Sequence, residues 1–163
     1  MISMVFKRKE AGITDYSKRL KLLKSREKRF IVRITGKGVI AQVAEYSDIG
    51  DRILFTVTDK TLAKYGVDLR GNNIQVCYLV GYIAGIESEK NGVESAVLDT
   101  GRRKFRKGGR IAACLKGFTD AGIEVPHGED VFPDKKRIDG KHLKSPVKIS
   151  EIVKNFKKME EKA

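Results

Sequence analysis

The fold of this chain is constrained most strongly by three short apolar runs with a bias toward β-branched residues, at residues 30–35, 39–46 and 52–58. The turn between the first two runs reads GKG at residues 36–38, and the next turn reads DIGD at residues 48–51. Strands of this length joined by glycine- and aspartate-containing turns pair as antiparallel hairpins. The segment therefore predicts a three-stranded antiparallel meander.

Two helices are predicted on either side of a short fourth strand. The segment 74–86 is apolar on most of its helical circumference, and Asn91 and Gly92 follow it as a stop signal. Gly81 and Gly85 stand four residues apart in this helix, which allows another element to approach it closely. A strand is predicted at 95–99, and a second helix ends before Gly122. The fourth strand can lie parallel to a neighbour, with the first helix as the crossover.

The charge is segregated along the chain. Residues 1–29 hold ten basic and three acidic groups, residues 101–110 hold six and none, and residues 131–163 hold ten and five. The remaining segments, 30–100 and 111–130, are acidic on balance, although the formal net charge of the chain is +13. Solubility does not require this distribution, whereas it suits a protein whose ends and loops lie on phosphates. We infer a polyanionic partner.

These patterns together predict an α/β fold with a three-stranded antiparallel meander plus a fourth strand, two packed helices, a basic N-terminal arm, and an extended C-terminal tail with a short helix. We divide the chain into a basic RNA-binding arm at 1–29, an α/β core domain at 30–122 and an extended tail with a terminal helix at 123–163. The core domain carries a basic loop at 101–110. A length of 163 residues suffices for one such core.

The candidate RNA-binding residues are the cations of the arm and loop, with one aromatic residue in each. In the arm they are Lys7, Arg8, Lys9, Tyr16, Lys18, Arg19, Lys21, Lys24, Arg26, Lys28 and Arg29. In the loop they are Arg102, Arg103, Lys104, Phe105, Arg106, Lys107 and Arg110. The loop runs into a helix N-terminus, where free amides and the helix dipole add to the attraction for phosphate.

Plainer interpretations of these segments remain open. Phe105 can stack on an unpaired base or fold back onto the core. The arm can order on a polyanion, or it can be a disordered tail or a targeting signal. The amphipathic helix predicted from residue 147 onward can pack on the protein's own core or on a neighbouring protein.

A nuclease and a general nucleic-acid packaging protein are the two alternative functions. A meander followed by a helix, a strand and a helix is typical of ribonuclease-H-like nucleases, which hold two divalent ions with several carboxylates. Here the first strand offers Arg33 where such an enzyme needs an acid, and Asp99 stands alone at the end of the fourth strand. We therefore predict no catalytic residue and no enzyme. A general nucleic-acid packaging protein is the third possibility.

The sequence gives little indication of a metal site, a disulfide bond or a membrane-spanning segment. His127 and His142 lie in an irregular stretch without ligand spacing, so we predict surface or RNA-facing histidines and no metal site. Cys77 and Cys114 are set among apolar residues, which predicts buried free thiols in a reducing compartment. The N-terminal apolar run is too short for a signal peptide, and the stretch 74–86 is too short to span a bilayer. We expect a cytoplasmic protein.

Three stretches carry a family resemblance that covers roughly residues 6 to 144 together with the meander. They read TDYSKRLKLLKS in the arm, KYGVDLRGNN before the first helix, and ESAVLDTGRRKFRKGGRIAACLKGFTDAGIEVPHGEDVFPDKKRIDGKHLK. The last is the most specific, because PHGEDVFP followed by RIDGKH is not a pattern that charge or periodicity would generate. In these stretches the chain resembles the 5S-rRNA-binding ribosomal proteins of the large subunit, universal family number eighteen, in their archaeal form.

The resemblance implies an α/β fold in which the arm and the loop after the fourth strand grip 5S rRNA, with no cofactor and no small-molecule substrate. It also implies attachment of that RNA to the large-subunit rRNA, beside neighbouring ribosomal proteins that include the other 5S-rRNA-binding protein. Carried over by position, the arm motif supplies Tyr16, Lys18, Arg19 and Lys21, and the loop motif supplies residues 102–110. The chain departs from the family in an arm that is sparser in arginine and in a lysine-rich terminal helix that lies outside the pattern.

Overall fold

The computed structural model describes residues 6–141 and 147–160. Its four strands are β1 (Arg29–Ile34), β2 (Val39–Glu45), β3 (Arg52–Thr58) and β4 (Val97–Asp99). The α-helices are α1 (Lys7–Glu10), α2 (Tyr16–Leu23), α3 (Ile74–Lys90), α4 (Arg110–Asp120), α5 (Lys135–Ile138) and α6 (Ile149–Glu160), and a 3-10 helix spans Asp59–Tyr65. His142 lies outside the described residues.

The strands form one mixed sheet in the order β3-β2-β1-β4. The pairs β1–β2 and β2–β3 are antiparallel, which confirms the predicted meander. Strand β4 lies parallel to β1. Because β3 runs in the same direction as β1 and β4, α3 connects two parallel strands as the crossover, as predicted.

The core lies between one face of the sheet and the pair α3 and α4. Alternation along β1 directs Phe30, Val32 and Ile34 to this side, and all three are buried. The ring of Phe30 stacks on that of Phe118 from α4, with centroids 3.8 Å apart. The opposite face of the sheet carries no helix of the core, and it is the face on which the arm lies.

Helices α3 and α4 pack with their backbones in direct contact. A Cβ atom at Gly81 would overlap the carbonyl oxygen of Cys114, and one at Gly117 would overlap the carbonyl oxygen of Tyr78. The predicted close approach at Gly81 is therefore present, and glycine is required on both helices for it. Helix α3 ends at Lys90, and Gly92 follows with a φ of +65°, as the stop signal predicted.

The tail beyond α4 is extended, but its apolar side chains enter the same core. Ile123, Val125 and Ile138 are all buried. Helix α6 packs on the protein's own core, since Phe156 is fully buried and its ring meets that of Tyr65 edge-on at 5.4 Å. Among the described residues, no helix has the length and apolar character that crossing a membrane would require.

Candidate nucleic-acid interface

The arm helix α2 begins beside the loop that follows β4. Asp15 caps the helix by accepting a hydrogen bond from the Lys18 amide at 3.1 Å. The Lys18 Nζ atom donates to the Thr100 hydroxyl at 2.8 Å and to the Gly101 carbonyl at 2.9 Å. The two segments selected from their charge, more than 80 residues apart, therefore touch.

A second contact fixes the same helix to the turn between β2 and β3. The Arg19 guanidinium donates two hydrogen bonds to the Asp51 carboxylate, each 2.8 Å long. The hydrogen bond from Arg19 lowers the pKa of Asp51 below its ordinary value of 3.8, and Asp51 in turn raises the pKa of Arg19. Since a bidentate arginine–carboxylate pair also fixes orientation, the arm is held in a defined position on the sheet.

Arg29 requires a correction. We predicted it as an arm residue in contact with RNA, but it is the first residue of β1 and only 1% exposed. Its Nη2 atom lies 2.7 Å from Asp51 Oδ1, and its Nη1 atom lies 3.2 Å from Asp99 Oδ2. Its Nε and Nη2 atoms are both buried and make no hydrogen bond among the described residues, so Nη2 meets Asp51 as an ion pair. Arg29 therefore holds the open face of the sheet together and, being buried, is not presented at the surface.

Asp99 completes this network from β4. It also lies 3.3 Å from Arg33, whose Nη1 atom donates to the Asp99 carbonyl at 2.8 Å. Two carboxylates thus alternate with the guanidinium groups of Arg19, Arg29 and Arg33 across the open face. A nuclease would need carboxylates grouped around metal ions, whereas Asp99 is neutralised by arginines. No cluster of metal-binding side chains occurs within residues 6–141 and 147–160.

The loop at 101–110 presents its cations to solvent. Arg102 is tied to the arm because its Nη1 atom donates to the Gly12 carbonyl. The other five, which no carboxylate of the described chain contacts, are Arg103, Lys104, Arg106, Lys107 and Arg110. Four of them line a depression of about 400 Å³ at the start of α4, namely Arg103, Lys104, Arg106 and Arg110. Gly109 begins this helix without a side-chain cap, so its first amides add to the positive potential.

The two predicted aromatic contacts are placed differently. Phe105 is 36% exposed and packs against no other aromatic ring in the described chain. Tyr16 already stacks on Phe6, with ring centroids 4.9 Å apart. The ring of Phe105 is therefore the more accessible of the two.

The arm cations fall into two groups. Some are engaged within the protein: Arg8 donates to the Thr14 hydroxyl at 2.9 Å, Lys28 donates to the Gly92 carbonyl at 3.4 Å, and Lys18 and Arg19 make the contacts given above. Five others are exposed and have no acidic partner in the described chain, namely Lys7, Lys9, Lys21, Lys24 and Arg26. The free cations of arm and loop thus number ten on two touching segments.

One residue of this surface escaped the sequence analysis. Arg33 is 39% exposed in its side chain and lies on the open face of the sheet, beside the arm and the loop. Its place could have been found from the alternation along β1, because Phe30, Val32 and Ile34 face the core and Arg33 must face the other way. The sequence alone indicates only that Arg33 stands where a nuclease would need an acid.

Comparison with known proteins identifies a family whose members are similar to this chain. Residues 3–94 match a family model described as ribosomal large subunit proteins 60S L5 and 50S L18. The large ribosomal subunit protein uL18 of Thermoplasma volcanium is 72% identical over 160 residues, which cover 98% of this chain and 100% of that protein. The proteins of the same name from Picrophilus torridus and Methanothermobacter thermautotrophicus are 51% and 42% identical, over 91% and 86% of this chain and 93% and 73% of their own lengths.

Proposed function

Because this chain belongs to the family of ribosomal large subunit proteins 60S L5 and 50S L18, we propose that it binds 5S rRNA and helps to attach it to the large-subunit rRNA. Membership makes the chain a structural, non-enzymatic constituent of the large ribosomal subunit, associated with rRNA and with other ribosomal proteins. The other 5S-rRNA-binding protein is the neighbour we expect beside it. The arm and loop are the surface we assign to 5S rRNA.

The observation that carries this proposal is the contact between arm and loop. Lys18 joins them through Thr100 and Gly101, so cations that are distant in sequence face solvent side by side. A surface with ten free cations attracts a folded polyanion along its length, where a small substrate would occupy only a fraction of it. The internal ion pairs hold this surface in shape before any RNA arrives.

The proposed affinity is mainly electrostatic, and specificity comes from the shape of the RNA. Duplex RNA has a deep and narrow major groove, so proteins contact its phosphates and 2′-hydroxyl groups more readily than its base edges. Phe105 stands apart from this description, because an exposed ring in a basic loop can stack on an unpaired base.

Salt titration tests the electrostatic part of the proposal. If about eight phosphates are neutralised, the logarithm of the association constant falls with the logarithm of salt concentration at a slope of roughly −6 to −7. The measurement is filter binding of labelled 5S rRNA at several salt concentrations, with an unrelated RNA of equal length as the control. A slope near zero, or equal affinity for both RNAs, would contradict the proposal.

Substitution in the loop tests the assigned surface. Changing Arg103, Lys104 and Arg106 together to Ala removes three free cations that make no ion pair within the described chain. We expect weaker 5S rRNA binding, a salt slope reduced by about 2 to 3, and unchanged cooperative unfolding. The matched control removes three exposed cations from the helical side of the molecule, Lys60, Lys64 and Lys154. Equal loss of affinity in both triple variants would show that net charge alone determines binding.

A further inference from the structure

A cleft of about 730 Å³ lies where the arm enters β1, at the opposite end of α2 from the basic loop. Its apolar walls are Leu20 and Leu23 from α2 and Tyr46 from the end of β2. Tyr46 is 54% exposed, and among the described residues its ring stacks on no other aromatic ring and its hydroxyl makes no hydrogen bond. The cleft therefore offers an exposed aromatic face next to the cations of the arm.

The turn that borders this cleft has an unusual backbone. Arg26 has a φ of +59° and is the only non-glycine residue with a positive φ in the part of the chain that the structure describes. The turn is held by hydrogen bonds from the Ser25 hydroxyl to the Leu22 carbonyl, at 2.8 Å, and from the Arg26 amide to the Leu23 carbonyl, at 3.1 Å. A left-handed arginine is unfavourable, and such strain is found where a side chain has to be aimed. Here it places Lys24 and Arg26, both exposed, on the rim of the cleft.

The remaining charged groups of the cleft are three glutamates and Lys28, whose Nζ atom already donates to the Gly92 carbonyl at 3.4 Å. Glu27 is already engaged, because it accepts a hydrogen bond from the Ser95 hydroxyl at 2.8 Å. Glu45 and Glu94 also line the cleft, and their carboxylates have no partner in the described chain. A ligand that fills the cleft must therefore bring a flat face for Tyr46 and N–H donors for the carboxylates.

We propose that this cleft binds one unpaired nucleobase that bears an exocyclic amino group, such as cytosine, adenine or guanine. The proposal rests on the proposed function, since it names a base-reading site at the far end of the same surface. The base stacks on Tyr46, its amino group donates to Glu45 or Glu94, and its phosphate lies on the rim against Lys24 and Arg26.

Other occupants fit the cleft less well. A phosphate group inside it would meet the carboxylates of Glu45 and Glu94, which repel it, and the Lys28 ammonium beside them already donates to the Gly92 carbonyl. An apolar side chain of a protein neighbour would bury Glu45 and Glu94 without donors, and burying an unpaired charge is unfavourable. A nucleobase with an amino group satisfies both the aromatic wall and the carboxylates, and its backbone continues toward the arm cations.

Substitution of Tyr46 tests the stacking. In filter binding with transcribed 5S rRNA, Tyr46→Leu is expected to weaken binding roughly 5- to 150-fold, the range that loss of one aromatic–base stack produces. Tyr46→Phe keeps the ring and is expected to bind like the unchanged protein. The salt slope stays the same in both variants, because stacking releases no counterions. Unchanged affinity of Tyr46→Leu would overturn the proposal and leave a protein neighbour as the occupant.

Short RNAs test the chemistry of recognition independently of 5S rRNA. The hexanucleotides rC6 and rU6 differ at position 4 of each base, where cytosine has an amino group and uracil a carbonyl oxygen that carboxylates repel. The unchanged protein is expected to bind rC6 more tightly, and Glu45→Gln combined with Glu94→Gln should abolish this preference. Equal affinities in the unchanged protein would overturn the assignment of the amino group. A different result would contradict the proposed function itself: binding of 5S rRNA by the unchanged protein that is no tighter than its binding of an unrelated RNA.

Discussion

Asp51 is the residue on which both the sheet face and the arm depend, and Asp51→Asn is the substitution that tests this arrangement. The carboxylate accepts two hydrogen bonds from Arg19 and lies 2.7 Å from the Nη2 atom of Arg29. Asparagine keeps the size of the side chain but removes the charge. The change therefore isolates the electrostatic contribution of one carboxylate to two arginines.

The burial of the three side chains sets the expected magnitude. Loss of a partner from a fully buried ion pair costs about 3–5 kcal/mol. Arg29 is that deeply buried, with 2% of its side chain exposed, but it keeps Asp99 as a second partner, and 22% of the Asp51 side chain is exposed. We expect Asp51→Asn to lower the free energy of unfolding by about 2 kcal/mol. Arg19→Gln, which leaves the Asp51–Arg29 pair in place, should cost only about 0.5–1 kcal/mol, as for other partly exposed pairs.

Urea unfolding of the two variants measures this difference, and hydrogen exchange of the α2 amides measures arm docking. Both variants should loosen the arm, whereas Asp51→Asn should lower the stability of the whole domain more than Arg19→Gln does. Because the pKa of Asp51 is lowered in the folded protein, its contribution is complete above pH 3.8 and is lost as the pH falls through the lower folded value. The difference in the free energy of unfolding between Asp51→Asn and the unchanged protein should therefore become smaller below that pH. If Asp51→Asn proves no less stable than Arg19→Gln, the buried Arg29 does not depend on Asp51 and the argument fails.

Two further predictions concern the core. Gly117→Ala should cost about 3 kcal/mol or prevent folding, because the new methyl group would overlap the Tyr78 carbonyl between two helices. Gly36→Ala, whose methyl group would meet open space in the turn between β1 and β2, should lose much less stability, and urea unfolding compares the two. Burial raises the pKa of Cys77 to about 12 and that of Cys114 well above its usual range. Iodoacetamide at pH 8 should therefore modify neither thiol in the folded protein but both thiols in urea, and mass spectrometry measures the modification.

Local patterns in the sequence were enough to predict most of the sheet and its helices. The bounds of β3 were predicted correctly, because its apolar run is flanked by Asp51 and by the turn-forming residues before it. The start of α2 is predictable from Asp15, since N-capping needs only the helix's own amides. By contrast, the 3-10 helix at Asp59–Tyr65 went unassigned, because its capping box of Thr58 and Thr61 lies in a stretch without apolar periodicity.

What could not be predicted depends on partners distant in sequence. Arg29 stands in a basic run and was counted with the arm, yet its two carboxylates come from the β2–β3 turn and from the end of β4, the latter 70 residues away. The docking of α2 likewise depends on Lys18 meeting Gly101 across a separation of 83 residues. A charge count identifies which segments are basic, but it does not show which of their cations the fold already neutralises.

The need to neutralise buried and half-buried arginines explains why the core region contains more acidic than basic residues. Asp51 and Asp99 belong to the region that is acidic on balance, and both are used to hold arginines on the open face of the sheet. Without them, Arg29 would be a buried and unpaired charge, and the arm would lose the Arg19 contact that orients it on the sheet. The internal acids thus neutralise the arginines that build the surface. The remaining exposed cations, such as Lys21 in the arm and Arg103 in the loop, therefore face outward in a fixed arrangement. A chain with the same net charge but without these two aspartates would attract RNA equally at long range, yet it could not present its cations in one geometry.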